Sequence, residues 1–300
     1  MSDRIEATSG LLEETFPGAG AGDLAYLRWL YDESPFGPVV EVNLDDDAGR
    51  AGHYAIVPVE LSVDGAPRPG ALSLNTAVHE RARGGGVFTR LANDTYALAR
   101  ERGVDVVVGV ANANSTPGFV RRLEFALVTQ LPATVLVPVP GGRAGVRSVA
   151  ANAPGALDRD DLDAVLATPA AGLTTRWTRD RLAWRLARPG TSYTLHHGPG
   201  VLAVSTLDRR GPARVAVLLA VFAAADVPSA TVRALVRAAC LAHRAPVALH
   251  AGVNTHLALR GLPLPDRLRP SPLNFIYRDL ATGAPAPSIA RWEFLDFDAY

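Results

Sequence analysis

Apolar positions recur at near-helical spacing from Asp23 to Tyr31, where Leu24, Leu27, Trp29, Leu30 and Tyr31 predict an amphipathic helix. Ser34-Pro35-Phe36-Gly37-Pro38 stops it. Val39 to Leu44 then reads as a strand, Asp45 to Gly49 as a hairpin turn, and the valine- and isoleucine-rich stretch Gly52 to Val63 as a second strand. A third strand ends at Val78, and after a glycine-rich loop a helix runs from about Val87 to Arg102, with Val87, Leu91, Thr95 or Tyr96, and Leu98 near one face. Val104 to Val110 is almost continuously apolar, as a strand buried on both faces is. Asn112 to Pro117 turns into a short helix, Gly118 to Leu123. Three strands, loop, helix, strand and helix in that order predict a mixed α/β sheet.

Proline and glycine cluster between Val135 and Ala156 (Pro138, Pro140, Gly141, Gly142), which divides the chain into residues 1–138 and 139–300. The second unit repeats the first loosely. Arg181-Leu182-Ala183-Trp184-Arg185 echoes Tyr26-Leu27-Arg28-Trp29-Leu30. Strands at Val201 to Leu207 and Val215 to Phe222, a helix at Ser229 to His243, a strand at Val247 to Val253 and a short helix at Thr255 to Gly261 keep the element order. Phe222 to Pro228 holds no glycine loop, so the repeat is degenerate at that point. Tyr277, Trp292, Phe294 and Phe297 read as core aromatics of a final hairpin.

Composition narrows the classes. Thirty acidic residues balance thirty basic ones, and the chain has no lysine, so nothing pulls it toward nucleic acid or anionic membrane. One cysteine, Cys240, excludes an internal disulfide framework, and Met1 to Glu6 is polar with no hydrophobic signal region behind it. No apolar run is long enough to span a bilayer. A cytoplasmic protein is the expectation.

The chemistry concentrates in Leu72 to Leu91, where Arg81-Ala82-Arg83-Gly84-Gly85-Gly86-Val87 joins a strand to a helix. Glycines let backbone N–H groups approach a ligand, and the first turn of a helix favours negative charge. A Walker A loop requires a lysine this chain lacks, and a dinucleotide fingerprint requires glycine where Thr89 stands. The competing reading is a bare glycine turn, against which stand the flanking arginines and the strand–helix setting.

The spacing Arg81-x-x-Gly84-x-Gly86 resembles the acyl-CoA pyrophosphate loop of the GNAT acyltransferase superfamily. Trp29, Pro35-Phe36-Gly37, Gly52-His53-Tyr54, Asn75-Thr76-Ala77-Val78 and Asn112 to Phe125 fall in the superfamily's order over roughly residues 20 to 130. The resemblance implies a sheet that splays between its fourth and fifth strands. Pantetheine would pair there with backbone near Ala77 and Val78, and pyrophosphate would sit on the amides of about Arg83 to Val87. The whole chain is similar to tandem proteins in which two GNAT-like mixed-sheet halves pack together, the second, degenerate half shaping the acceptor pocket. Many members carry a tyrosine in the helix after the fifth strand; Pro117 to Leu123 holds none.

Candidate catalytic residues are Glu60, Asn75 and His79. Glu60 and His79 are read as bases, against an outward strand carboxylate and a turn residue respectively. Asn75 projects toward substrate or lies on an outward pleat. Asn112 and Asn114 hold CoA or acceptor, cap the following helix, or both. No metal is expected: Arg83 stands where a zinc motif begun by His79-Glu80 needs its second histidine, and Asp45-Asp46-Asp47 reads as a solvated turn. His196-His197 and the pair Cys240 and His243 read as structural. The expected activity is transfer of an acetyl or other acyl group from acyl-CoA to a small-molecule amine. Alternatives are an aminoacyl-tRNA-dependent transferase of the Fem type, which would need charged tRNA, and an inactive acyl-CoA-binding module.

Overall fold

The structure is a computed structural model that describes residues 2–139, 145–167, 169, 171–265 and 271–300. In chain order the first half contains α1 (Ser2–Thr15), α2 (Leu24–Tyr31), β1 (Val40–Asp46), β2 (Gly49–Val63), β3 (Ala66–Val78), α3 (Val87–Glu101), β4 (Val106–Ala111), α4 (Thr116–Arg122), β5 (Ala126–Gln130) and β6 (Ala133–Leu136). There follow β7 (Arg147–Ala150), α5 (Leu162–Leu166), β8 (Leu173–Thr175), α6 (Arg179–Leu186), β9 (Thr194–Gly198), β10 (Val201–Arg210) and β11 (Ala213–Ala223). The chain closes with α7 (Ser229–His243), β12 (Ala248–Asn254), β13 (Leu262–Pro263), β14 (Asn274–Asp279) and β15 (Ile289–Glu293).

The described strands form one mixed sheet, in the order β5-β14-β4-β3-β2-β8-β15-β12-β11-β10-β9-β7. Two GNAT-like α/β halves lie within it, each with a long antiparallel pair, a helix and a parallel strand. β2 and β3 pair antiparallel, α3 crosses over, and β4 returns parallel to β3. β10 and β11, then α7, then β12 repeat that path. Apolar side chains from β2, α3 and β4, among them Ile56, Leu91, Ala92, Tyr96, Ala99 and Val107, pack the first half's core; Leu218, Leu235, Val236 and Ala239 occupy the second.

The halves exchange strands. β14, near the chain's C-terminal end, inserts antiparallel between β4 and β5 of the first half. β6 pairs antiparallel with β12 of the second. Strand pairing therefore crosses residue 138 in both directions. Of the residues that mark the division, Pro140, Gly141 and Gly142 lie outside the described residues.

Three sequence expectations change. α1 was not predicted, yet Ile5, Thr8, Leu11 and Leu12 share its buried face, a pattern masked by the acidic and polar residues around Gly10. Thr255 to Gly261 forms a turn and extended chain. Asn254 accepts from His256 and Leu257, and the following residues are drawn out to pair Leu262 with Val135, where Pro263 and Pro265 also oppose a helix. Tyr277 and Trp292 are buried, but β14 and β15 do not pair with each other, because each is taken up by a different part of the sheet.

Candidate functional site

The site begins with a bulge in β3. His53 stands opposite Ala77 and Ala55 opposite Leu74, so Asn75 and Thr76 together face the single residue Tyr54. Asn75 takes the extra length with a φ of 53°, the left-handed region asparagine tolerates better than most residues. A bulge bends its strand, and here β3 leaves β4. Their parallel pairing covers only Gly70 to Leu72 against Val106 to Val108. Beyond it the strands part around a cavity of about 580 Å³, lined by Ser73 to Val78 on one side and Gly109 to Asn112 on the other. The opening thus falls between the third and fourth strands of this chain, one earlier than the resemblance implied.

The glycine loop stands at the mouth of this opening. Gly84, Gly85 and Gly86 have φ values of 98°, 55° and 74°, three consecutive positions where a side chain would be strained. Among the described residues, the amides of Gly84, Gly85, Gly86, Phe88 and Thr89 donate to no protein acceptor. Converging donors at the start of a helix make an anion site. The ends of the expected set are spent within the loop: Arg83 N donates to Glu80 O at 3.1 Å and Val87 N to Gly84 O at 3.2 Å.

The flanking arginines differ in role. Arg81 turns back onto the β1–β2 hairpin, donating through Nε to Asp46 at 2.9 Å and through Nη2 to the Arg50 carbonyl at 3.0 Å. It anchors the loop and does not point into the cavity. Arg83 is exposed, lines the cavity and bonds only weakly to Val78 O and Glu80. Ala77 and Val78 line the cavity, and so do Asn112 and Asn114. Asn112 caps the turn into α4, its Oδ1 accepting from the amides of Asn114 and Ser115 at 3.0 and 2.9 Å, while the Asn114 side chain bonds to no described residue.

The two candidate bases are elsewhere. Glu60 pairs with Pro69, toward the far end of β2 from the cavity, and its carboxylate is held by Arg176 and Arg181 from the second half. His79 caps a short turn (Glu80–Ala82): Nδ1 accepts from the Arg81 amide at 3.2 Å, so Nε2 carries the proton and faces Glu14 at 3.2 Å. Neither lines the cavity. Asn75 does.

Sequence reading missed a buried polar chain beneath Asn75. Tyr26 donates to Asp298 Oδ2 at 2.6 Å, a bond between α2 and the chain's last residues. Tyr31 and His53, both fully buried, meet at 2.9 Å, and His53 Nδ1 lies 2.6 Å from Asn43 Oδ1. Burial, with the Arg50 and Arg4 charges, pushes the His53 imidazole down to about 3, so it is neutral. Burial and then Asp298 raise the Tyr26 phenol well above its ordinary value. His53-Tyr54 was noted only as part of a pattern, and no local spacing signals that Asp298 reaches Tyr26.

Residues 40–128 match the family model described as an acetyltransferase (GNAT) domain. Over that stretch the chain carries a GNAT domain. Solved structures agree in fold. A GCN5-related N-acetyltransferase from Anabaena variabilis superposes with a TM-score of 0.65 at 14% identity, covering 92% of this chain and 70% of that one. One from Kribbella flavida gives 0.65 at 15%, over 94% and 70%. Saccharomyces cerevisiae N-myristoyltransferase with bound myristoyl-CoA gives 0.61 at 14%, over 94% and 81%. No curated protein matches the sequence.

The second GNAT-like half shows what degeneracy means physically. β11 and β12 pair over Ala216 to Leu218 and then part as β3 and β4 do. That opening is filled from within. Glu293 accepts from Val221 N and Asn254 Nδ2, each at 3.1 Å, and lies 2.8 Å from His250 Nε2. At Gly252, φ 130°, no side chain fits against the Trp292 backbone. No glycine loop precedes α7, so among the described residues only the first half pairs such an opening with free loop amides.

Proposed function

We propose that this protein is an N-acyltransferase that moves an acetyl or other acyl group from acyl-CoA to the amine of a small molecule. The observation that carries the reading is the set of undonated amides of Gly84, Gly85, Gly86, Phe88 and Thr89 at the mouth of the β3–β4 opening. Those amides would take the diphosphate, with Arg83 beside it, and the pantetheine arm would run along Ser73 to Val78. Arg90 and Arg122 flank the same helix start, without an acidic partner among the described residues, and suit the remaining phosphate.

Reaction follows by direct attack in a ternary complex. The amine nitrogen bonds to the thioester carbonyl carbon, the C–S bond breaks, and the proton the amine loses ends on the CoA thiol. The described cavity lining contains no Asp, Glu, His or Tyr. The acceptor therefore sheds its ammonium proton to water before attack. A thiolate with a conjugate-acid pKa of about 8.5 departs without a dedicated acid, which accommodates the missing tyrosine. Within the described residues no helix is long and apolar enough to cross a membrane, in keeping with a freely diffusing acceptor.

The test is acetyl-CoA-dependent thiol release with glucosamine, putrescine and tyramine as acceptors, an amino sugar, a diamine and an aromatic amine. Amine-dependent release supports the reading. Absence of both release and acetyl-CoA binding overturns it.

A further inference from the structure

Asn75 is the one candidate catalytic residue the fold brings to the cavity, and proton accounting in the buried chain beneath it fixes how its amide is turned. His53 Nδ1 faces two acceptors, Asn43 Oδ1 at 2.6 Å and Glu41 Oε2 at 3.5 Å, and a carboxylate offers no proton, so Nδ1 carries the hydrogen. A neutral imidazole then presents Nε2 as an acceptor, and the hydrogen between Tyr31 and His53 belongs to Tyr31. Tyr26 spends its only proton on the Asp298 carboxylate, which Arg185 faces at 2.9 Å and Arg188 at 3.5 Å. Both phenols neighbour the Asn75 side chain, and both have only lone pairs left to offer it.

The amide must meet them with its NH2 group. Asn75 Nδ2 is indeed the buried atom of that side chain, although it completes a full hydrogen bond with neither hydroxyl, while Asn75 itself lines the cavity. Its carbonyl oxygen is left on the open side.

We infer that Asn75 Oδ1 is the hydrogen-bond acceptor that receives an N–H of the incoming amine beside the thioester, its buried NH2 group being turned toward the hydroxyl lone pairs of Tyr26 and Tyr31. The inference rests on the acyltransferase reading and deepens it. A neutral primary amine has two N–H bonds and one lone pair. Accepting from one N–H turns the lone pair toward the bulge in β3, where the opening holds the acyl group. A tertiary amine has no N–H to give and is excluded. Through Asp298 the last turn of the chain, packed with the second half, sets the orientation of an active-site amide in the first.

Two measurements test this. In the first, kinetics with the fastest of the three amines are compared for wild type, Asn75→Ala, Tyr26→Phe and Tyr31→Phe, alongside acetyl-CoA affinity by calorimetry. Loss of one oriented hydrogen bond should raise the amine KM about 3- to 30-fold, with the acetyl-CoA Kd changed less than about 2-fold. Unchanged amine KM with intact acetyl-CoA binding overturns the inference and leaves the acyltransferase reading standing. No acetyl-CoA binding by wild type removes both. In the second, nitrogen-15 NMR follows exchange of the Asn75 side-chain NH2 protons with deuterated water, which requires no acceptor. Slow exchange in wild type that speeds up in Tyr26→Phe and Tyr31→Phe agrees with a buried NH2. Exchange as fast as an exposed amide places NH2 in the cavity and overturns the assignment.

Discussion

Trp29 and Trp184 stack face to face, with ring centroids 4.4 Å apart and an interplanar angle of 14°. They occupy matching places in α2 and α6, the helices whose sequences echo each other. Trp29 also donates through Nε1 to the Trp184 carbonyl at 3.1 Å, and Arg185 lies over the Trp29 ring. The repeated motif thus meets its own copy where the halves join. Glu60, bound by Arg176 and Arg181, and Tyr26, bound to Asp298, lie along the same junction.

Trp29 is almost fully buried, so Trp29→Ala is expected to lower unfolding free energy by about 3–5 kcal/mol. Trp184 is only half-buried, and Trp184→Ala should cost less. Urea denaturation of both variants checks the order; an equal or reversed effect would mean that the stack does not join the halves in solution.

Strand exchange predicts that neither residues 1–138 nor residues 139–300 fold alone. The first fragment lacks β14 and exposes the edge of the central strand β4; the second lacks β6 and exposes β12. Each fragment by itself should show no cooperative thermal transition, and co-expression should restore one. A cooperative transition in either isolated fragment would contradict this.

Acid should destabilise the fold through buried neutral histidines. Burial, aided by His243 and His197, lowers His196 to about 4, and His53 falls to about 3. Both values lie below the unfolded value of about 6.5, so the unfolded chain binds more protons in acid. Their contribution is complete above about pH 6.5 and is lost as pH falls toward 4 and then 3. For His196 the loss approaches about 3 kcal/mol. Unfolding free energy measured from pH 7 to 4 should fall, and His196→Gln should flatten the slope.

With no Asp, Glu, His or Tyr in the described cavity lining, kcat/KM should climb with pH in step with the acceptor's own deprotonation, up to about 10 for an alkylamine. Changing the acceptor for one of lower pKa should move the plateau by the same amount. A plateau set near pH 6 to 7 whatever the amine would reveal a protein base.

What could be read in the sequence followed from local spacing. The glycine loop, the apolar run of β4 and the echo around Trp29 and Trp184 are contiguous patterns, and each sits where its pattern pointed. What stayed hidden depends on distant pairing. A strand such as Asn274–Asp279 has the same alternation whichever neighbour it joins, so nothing local tells that it enters the first half. Glu60 reads as a catalytic carboxylate until Arg176 and Arg181 arrive from the other half. Asn75 signals little by itself; its orientation is set by Tyr26, Tyr31, His53 and Asp298, drawn from three separated segments.

The most direct measurement is a calorimetric titration of acetyl-CoA into wild type and Gly84→Glu, with circular dichroism confirming that both are folded. Gly84 sits at φ 98° beside the free loop amides, and a glutamate there brings a side chain and a negative charge to the diphosphate position. Binding by wild type that is lost in the variant is the expected result. Equal binding by both, or none by wild type, would contradict an acyl-CoA site on this loop.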